Sequence, residues 1–163
     1  MARALIVGCG CRGRSLGVAL IERGWQVRGT SRKQQTLAEI EAQGIEAVEA
    51  DPDRIGTIVE AIEGVSLIFW LLGFATGEPD ELRALHGERL ERLLEEIVDT
   101  PVRGVVYELG TAITGKEALR ALEHLRDAGE RWRMPFEVVD ADADDHEVWL
   151  QGMVEAADAL LAA

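Results

Sequence analysis

The chain has 163 residues, of which 47% are hydrophobic, and this is enough to bury one core. Thirty acidic and 17 basic side chains leave a net charge of −13, which disfavours nucleic acids and anionic membrane surfaces as partners. Because there is no stretch of about 18 apolar residues and no signal-peptide pattern, the sequence predicts one cytoplasmic domain over residues 1–163, with no membrane contact.

The first predicted unit is a strand, a glycine-rich turn and a helix. Residues 4–7 are apolar and lead directly into Gly8, Gly10 and Gly13, and residues 14–23 then carry apolar side chains at helical spacing. Such a turn points the free N–H groups of the helix at the space above the sheet edge, where the helix dipole favours an anion. The Gly-x-Gly-x-x-Gly spacing in this context is typical of dinucleotide binding.

A second strand is predicted over residues 26–29, and it ends in Thr30, Ser31 and Arg32. An acidic residue at this point usually accepts hydrogen bonds from the ribose 2′-hydroxyl, and here it is absent. Hydroxyl groups next to an arginine suit a 2′-phosphate instead. We therefore expect NADP(H) rather than NAD(H) as the cofactor.

The same glycine turn is open to two other interpretations. Residues 8–15 match the P-loop pattern except that Arg14 takes the place of the phosphate-binding lysine, for which a bulky guanidinium is a poor substitute. A turn that binds nothing is the second alternative. Cys9 and Cys11 lie within this turn, and without a second cysteine pair they predict neither a zinc site nor a disulfide framework.

The rest of the chain alternates helices and strands. In chain order we predict a helix over 34–43, a strand over 45–50, a helix over 54–62, a strand over 65–72, a helix over 80–98, a strand over 104–109, a helix over 116–128, a strand over 136–140 and a last helix from about 144. This alternation predicts an α/β fold with a doubly wound, parallel six-stranded sheet of order 3-2-1-4-5-6. A dinucleotide cleft is expected where the strand order reverses, between the first and fourth strands.

Together these motifs resemble the NAD(P)-binding core of the extended and atypical short-chain dehydrogenases/reductases, the group that includes NAD-dependent epimerases/dehydratases. The likeness covers roughly residues 3–140 and includes VYELGTAITG across the fifth strand. It implies a Rossmann-like three-layer sandwich. The cofactor contacts that it implies are Gly8, Gly10, Cys11, Arg12 and Gly13 at the pyrophosphate, Thr30, Ser31 and Arg32 at the 2′-phosphate, Asp51 and Pro52 at the adenine, and Leu72 and Gly73 at the nicotinamide ribose.

The chain departs from this family in its proton-transfer residues. The family's Tyr-x-x-x-Lys pair is absent, because the only tyrosine is Tyr107, within the fifth strand, and the only lysines are Lys33 and Lys116. Thr111, near the family's serine position, and His124, on the helix that would carry the tyrosine, are weak candidate proton donors. We also expect no carboxyl-terminal substrate-binding extension.

Three functions therefore stay open. The chain could be a reductase or epimerase of unusual mechanism that acts on an unidentified small molecule, a non-catalytic regulator that senses a dinucleotide, or a partner-binding domain. We favour a dinucleotide-binding protein and leave turnover open.

Two further features concern metal binding and assembly. The acidic tract over 140–146 lacks the glycine and glutamate that an EF-hand loop needs, so we interpret it as a turn that caps the last helix and expect no metal site. Leu90 and Leu94 widen the apolar stripe of the helix over 80–98. Since the resembled family often pairs the corresponding helices, we expect a homodimer through helices 80–98 and 116–128.

Overall fold

The computed structural model describes residues 2–142 and 144–162. These residues form six strands and seven helices, whose bounds in chain order are β1 Arg3–Val7, α1 Cys11–Glu22, β2 Gln26–Ser31, α2 Gln34–Ala42, β3 Glu46–Glu49, α3 Ile55–Glu60, β4 Leu67–Trp70, α4 Pro79–His86, α5 Glu88–Glu96, β5 Gly104–Glu108, α6 Gly115–Trp132, β6 Phe136–Val139 and α7 His146–Ala162. All neighbouring strands are parallel, and their order is β3-β2-β1-β4-β5-β6. The predicted topology is confirmed.

Helices cover both faces of this sheet, as expected for a three-layer sandwich. Helices α1, α2 and α7 pack on one face, and α3, α4, α5 and α6 pack on the other. Strand β4 contributes to the core on both faces. Leu67 and Phe69 pack on the face that α1, α2 and α7 cover, Ile68 and Trp70 pack on the opposite face, and all four side chains are fully buried. Each such side chain stabilises the fold by about 2 kcal/mol through its removal from water.

The single helix predicted over 80–98 is wrong, because the chain forms two helices that meet at Gly87. The backbone of Gly87 has φ −112° and ψ −98°, which is not helical. The break lets His86 insert into the core, where it bonds the backbone of Leu72, while Leu90 and Leu94 pack into the same core from α5. One straight helix would have to give up part of this burial.

Helix α6 was predicted to stop at Gly129, but it continues to Trp132. A Cβ added at Gly129 would lie 3.3 Å from Cε1 of Phe136, so glycine serves here to let the helix approach β6 closely. The helix ends instead at Arg133, which adopts the left-handed conformation with φ 53°.

Other boundaries differ by a few residues. Helix α1 starts at Cys11, three positions before the predicted start, because the glycine turn is shorter than expected. Strand β4 is shorter than predicted at both ends, because it covers only Leu67–Trp70, and Leu71 and Leu72 beyond its end line a cavity above the sheet. Among residues 2–142 and 144–162, no helix combines the length and the apolar character needed to span a membrane.

Candidate functional site

A cavity of about 410 Å³ opens at the carboxyl edge of the sheet, above the ends of β1, β2 and β4. The strand order reverses between β1 and β4, and ligands of doubly wound sheets bind at such a reversal. The predicted cofactor contacts that line this cavity are Gly8, Gly10, Cys11, Arg12, Gly13, Thr30, Ser31, Arg32, Pro52 and Leu72. Asp51 and Gly73 are the predicted contacts that do not line it.

The three glycines of the turn differ in what a Cβ atom at each position would contact. Gly8 adopts φ +85°, and a Cβ there would lie 2.6 Å from the carbonyl oxygen of Leu71. A Cβ at Gly13 would lie 3.2 Å from the carbonyl oxygen of Gly8, so this glycine lets α1 pack closely on β1. A Cβ at Gly10 would meet nothing within 4 Å. Gly10 is therefore not required by the packing of the protein, and it leaves the backbone open toward the cavity.

The amino terminus of α1 has no side-chain cap and no acidic residue in its first turn. Its backbone N–H groups and the positive end of its dipole are thus left for an anion. Cys11, which lines the cavity, is exposed, whereas Cys9 is buried and its backbone N–H donates to the carbonyl oxygen of Thr30 at 3.1 Å. Burial raises the pKa of the Cys9 thiol to about 12, so it is an inert packing residue.

Hydroxyl and cationic groups gather at the end of β2. Ser31, Arg32 and Lys33 all line the cavity, and Thr36 lines it from α2. The Arg32 side chain is 63% exposed, and its nearest acidic partner is Asp51, with 4.0 Å between Nη1 and Oδ1. Lys33 and Thr36 were not predicted as contacts, although both come within four residues of Arg32 in the sequence.

Asp51 shapes the turn after β3 rather than the cavity wall. Its Oδ1 accepts the backbone N–H of Asp53 at 2.9 Å, and its own N–H donates to Oγ1 of Thr57 at 2.8 Å. These bonds hold Pro52 and Asp53 at the cavity.

At the opposite end of the cavity a buried carboxylate interacts with three donors. Glu108, the last residue of β5, is 1% exposed. Its Oε1 accepts the backbone N–H of Gly73 at 2.9 Å, and its Oε2 accepts Nε1–H of Trp149 at 2.7 Å and lies 3.3 Å from Nη1 of Arg12. Burial raises the pKa of Glu108, and Arg12 and the two N–H donors oppose that rise.

Arg12 reaches Glu108 from the start of α1 between two aromatic rings. Its Cζ lies 4.5 Å from the ring centroid of Phe74 and 5.1 Å from that of Trp149, which is cation–π geometry. We call Arg12, Phe74, Glu108 and Trp149 the arginine cluster. Sequence reasoning missed all of it except Arg12, although a glutamate at the end of an otherwise apolar strand was a usable signal for Glu108.

A second buried pair lies beneath the cavity floor. Nε2 of His86 lies 2.8 Å from the carbonyl oxygen of Leu72 and must donate to it, so Nδ1 accepts from the hydroxyl of Tyr107, at 2.5 Å. The pKa of His86 is lowered by burial, and the pKa of Tyr107 is raised by burial and by Glu108, so both side chains are neutral. Neither lines the cavity; the pair fixes Leu72, which does.

The candidate proton donors lie elsewhere. Thr111 is exposed and does not line the cavity, nor does His124, whose Nδ1 lies 3.9 Å from Oε2 of Glu91 on α5. Arg14, on which the P-loop alternative depends, pairs with Glu39 at 3.2 Å and also does not line the cavity.

The acidic tract caps α7 as predicted, because Oδ1 of Asp145 accepts the backbone N–H of Val148 at 3.2 Å. Ala143, within this tract, lies outside the described residues. In the part of the chain that the structure describes, no three His, Cys, Asp or Glu side chains are grouped closely enough to hold a metal ion.

A parallel sheet of this order, with a glycine turn at the point of reversal, defines a Rossmann fold. Solved structures confirm the resemblance to the short-chain dehydrogenases/reductases at the level of the fold. One is a member of that superfamily from Agrobacterium tumefaciens with bound NAD, with a TM-score of 0.68, 21% identity, and coverage of 83% of this chain and 48% of that one.

UDP-glucose 4-epimerase from Thermotoga maritima, solved with UDP-glucose, gives a TM-score of 0.70 at 14% identity and covers 83% of this chain and 54% of its own. Vestitone reductase from alfalfa, Medicago sativa, gives 0.61 at 16% identity, with 85% and 56% covered. The chain thus spans about half the length of these proteins. No protein-family model and no curated protein matches the sequence.

Proposed function

We propose that this chain binds NADP(H) in the cavity at the carboxyl edge of its sheet. The observation that carries the proposal is that two anion-binding features line one cavity. The uncapped amino terminus of α1 lines the cavity at the end of β1, and Ser31, Arg32 and Lys33 line it at the end of the neighbouring strand β2. An adenosine 2′-phosphate joined to a pyrophosphate carries its negative charge at two such separated positions.

The described residues fit this ligand. The backbone from Gly10 to Gly13 would hold the pyrophosphate, because a Cβ at Gly10 would enter open space and no acidic side chain lies in the first turn of α1. Arg32 and Lys33 would neutralise the 2′-phosphate, with hydroxyls from Ser31 and Thr36 beside them. Pro52 would border the adenine.

The solved neighbours support a nicotinamide dinucleotide in general, since one of them was crystallised with NAD. The proposed preference for NADP(H) rests only on the residues at the end of β2, Ser31, Arg32 and Lys33. Isothermal titration calorimetry with NADPH and with NADH tests it. We expect NADPH to bind at least about tenfold more tightly, a difference of about 1.4 kcal/mol. Equal affinities would contradict the preference, and no binding of either cofactor at millimolar concentration would contradict the site.

A non-catalytic, dinucleotide-sensing role is the second candidate, and one observation favours it over a reductase or epimerase. Tyr107 is buried in β5, and Thr111 and His124 do not line the cavity, so no predicted proton donor reaches the ligand site. Screening carbonyl compounds for NADPH oxidation distinguishes the two roles. Turnover that is lost in Thr111→Ala or His124→Gln would contradict the sensing role.

We also propose a homodimer through the helices of residues 80–98 and 116–128. Leu119 on α6 supports this assembly, because its side chain is 62% exposed despite being apolar. Leu90 and Leu94 do not, since both are buried within the chain itself.

A further inference from the structure

We propose that the cavity takes only the 2′-phospho-ADP-ribose part of NADP(H) and leaves the nicotinamide ring outside the protein, so that the oxidised and reduced cofactors bind equally. This inference rests on the proposed function and specifies which half of the ligand the site recognises. It makes the chain a reader of the total NADP(H) concentration rather than of its redox state.

The direction of a bound dinucleotide follows from the fold. In a doubly wound sheet the two nucleosides lie on opposite sides of the strand reversal, with the pyrophosphate at the first helix between them. The 2′-phosphate site proposed above lies at the end of β2 and fixes the adenosine on that side. The nicotinamide half would then have to lie above β4 and β5.

The cavity extends above the end of β4, where Leu71 and Leu72 line it, but toward β5 it is bounded by the arginine cluster. Arg12 crosses from α1 to Glu108 at the end of β5, and the rings of Phe74 and Trp149 lie 4.5 and 5.1 Å from its Cζ. Glu108 is 1% exposed and Trp149 is fully buried, whereas Arg12 and Phe74 are partly exposed, so the cluster forms the wall of the cavity on this side. Among the described residues that follow Glu108 in the chain, Trp149 alone lines the cavity.

The loops after β4 and β5 pack against each other beside the cluster. The carbonyl oxygen of Gly73 accepts the backbone N–H of Ala112 at 2.8 Å. A Cβ at Gly110 would clash with that same oxygen, so the two backbones approach each other closely. A ring could enter only if these loops separated.

Opening the cluster is disfavoured by charge as well as by packing. If Arg12 turned away to the pyrophosphate, Glu108 would keep its bonds from Gly73 and Trp149 but would lose its counter-ion in a buried position, which is costly. A neutral reduced nicotinamide cannot replace that cation. A positively charged oxidised nicotinamide could, and this alternative makes a distinct prediction, because NADP⁺ would then bind more tightly than NADPH.

Calorimetry on the wild-type chain tests the inference with four probes: 2′-phospho-ADP-ribose, NADP⁺, NADPH and nicotinamide mononucleotide. We expect the first three to bind with dissociation constants within about threefold of one another, and the mononucleotide not to bind at millimolar concentration. An affinity for either dinucleotide that exceeds that of 2′-phospho-ADP-ribose by tenfold or more would overturn the inference and leave the proposed function intact. A tenfold preference for NADP⁺ over NADPH would overturn it in favour of an opened cluster.

The fluorescence of bound NADPH gives an independent reading. A ring that stays in solvent keeps the emission of the free cofactor and is quenched by iodide to the same extent, and we expect both at saturation. Emission that is enhanced and protected from iodide would overturn the inference. Failure of all the adenosine 2′-phosphate compounds to bind would remove the proposed function itself, and the inference with it.

Discussion

Arg12 and Glu108 lie 96 positions apart in the sequence and meet at the carboxyl edge of the sheet, with 3.3 Å between Nη1 and Oε2. The two side chains differ in exposure, since that of Arg12 is 28% exposed and that of Glu108 is 1% exposed. The buried carboxylate of Glu108 therefore depends on Arg12 for a counter-ion, because it has little access to water. Removing the arginine leaves a buried charge, whereas the arginine without its partner could still reach water.

This asymmetry makes the effect of Arg12→Met depend on pH. Without Arg12 the pKa of Glu108, already raised by burial, rises further, so the folded state holds a proton that the unfolded chain releases near pH 4.5. Stability relative to wild type is thus lost as pH increases from about 4.5. We expect a loss of about 2 kcal/mol at pH 8 and clearly less at pH 5, measured by urea unfolding.

Arg14→Met is the matched control, because Arg14 pairs with Glu39, whose side chain is 47% exposed. Its effect should be within about 1 kcal/mol and similar at both pH values. If Arg12→Met costs the same at pH 5 and pH 8, the charge of Glu108 is not what Arg12 stabilises.

The buried histidine gives wild-type stability a second pH dependence, with the opposite sign. His86 donates through Nε2 and accepts through Nδ1, so it must be neutral, and burial lowers its pKa below 6.5. Below pH 6.5 the unfolded chain takes up a proton that the folded chain resists, and stability falls as pH decreases. His86→Gln should flatten this fall in urea unfolding between pH 7 and 5.5, whereas His124→Gln should leave it in place. An equal slope in His86→Gln and wild type would contradict the assignment.

The glycine turn predicts a separation of stability from binding. Gly8→Ala should cost about 1–3 kcal/mol, because alanine is strained at φ +85° and its Cβ would meet the Leu71 carbonyl. Gly10→Ala should change stability by less than about 1 kcal/mol and yet weaken NADPH binding about tenfold, since the methyl group would occupy the approach to the backbone. Thermal unfolding and calorimetry measure both effects. Unchanged affinity in Gly10→Ala would argue against a ligand at this turn.

Cofactor preference should depend on Arg32. Arg32→Ala should reduce the affinity for NADPH about tenfold and leave that for NADH unchanged, because only the former carries a 2′-phosphate. Arg92→Ala is a suitable control, since Arg92 lies on α5 and its side chain is 61% exposed, close to the 63% of Arg32. If the two variants weaken NADPH binding equally, Arg32 acts only through the net charge of the protein and not through contact with the 2′-phosphate.

The proposed homodimer is tested by sedimentation over a dilution series. If Leu119 lies in the interface, Leu119→Glu should convert a dimer into the 17.8 kDa monomer without loss of stability, because this side chain is 62% exposed. Val148→Glu on α7 is the control, at 56% exposure. A wild-type chain that is monomeric at tens of micromolar, on the affinity scale of weak dimers, would contradict the dimer.

The order of the strands and the grouping of Gly10, Ser31 and Pro52 at one cavity could both be predicted from the sequence. A continuous apolar run such as 65–72 predicts a strand that is buried on both faces, and glycines lie in the turns that follow β1, β4 and β5. Because each parallel strand ends at the same edge, Gly10, Ser31 and Pro52 were predictable neighbours before any contact was known. These are local signals, and the chirality of the fold brings them together.

The contacts at the β5 end of the cavity could not be predicted from the sequence. In the sequence, Glu108 is the end of a strand and Trp149 is a core position of a helix. They lie 41 positions apart, and only the fold brings them within hydrogen-bond distance. Nothing in the sequence distinguishes His86 from the other two histidines, and it is the break at Gly87 that places it against the backbone of Leu72. A buried donor that lacks an acceptor costs the full desolvation free energy, so buried polar groups are paired with whichever groups lie near them in space. The periodicity of the sequence carries no information about which groups those are.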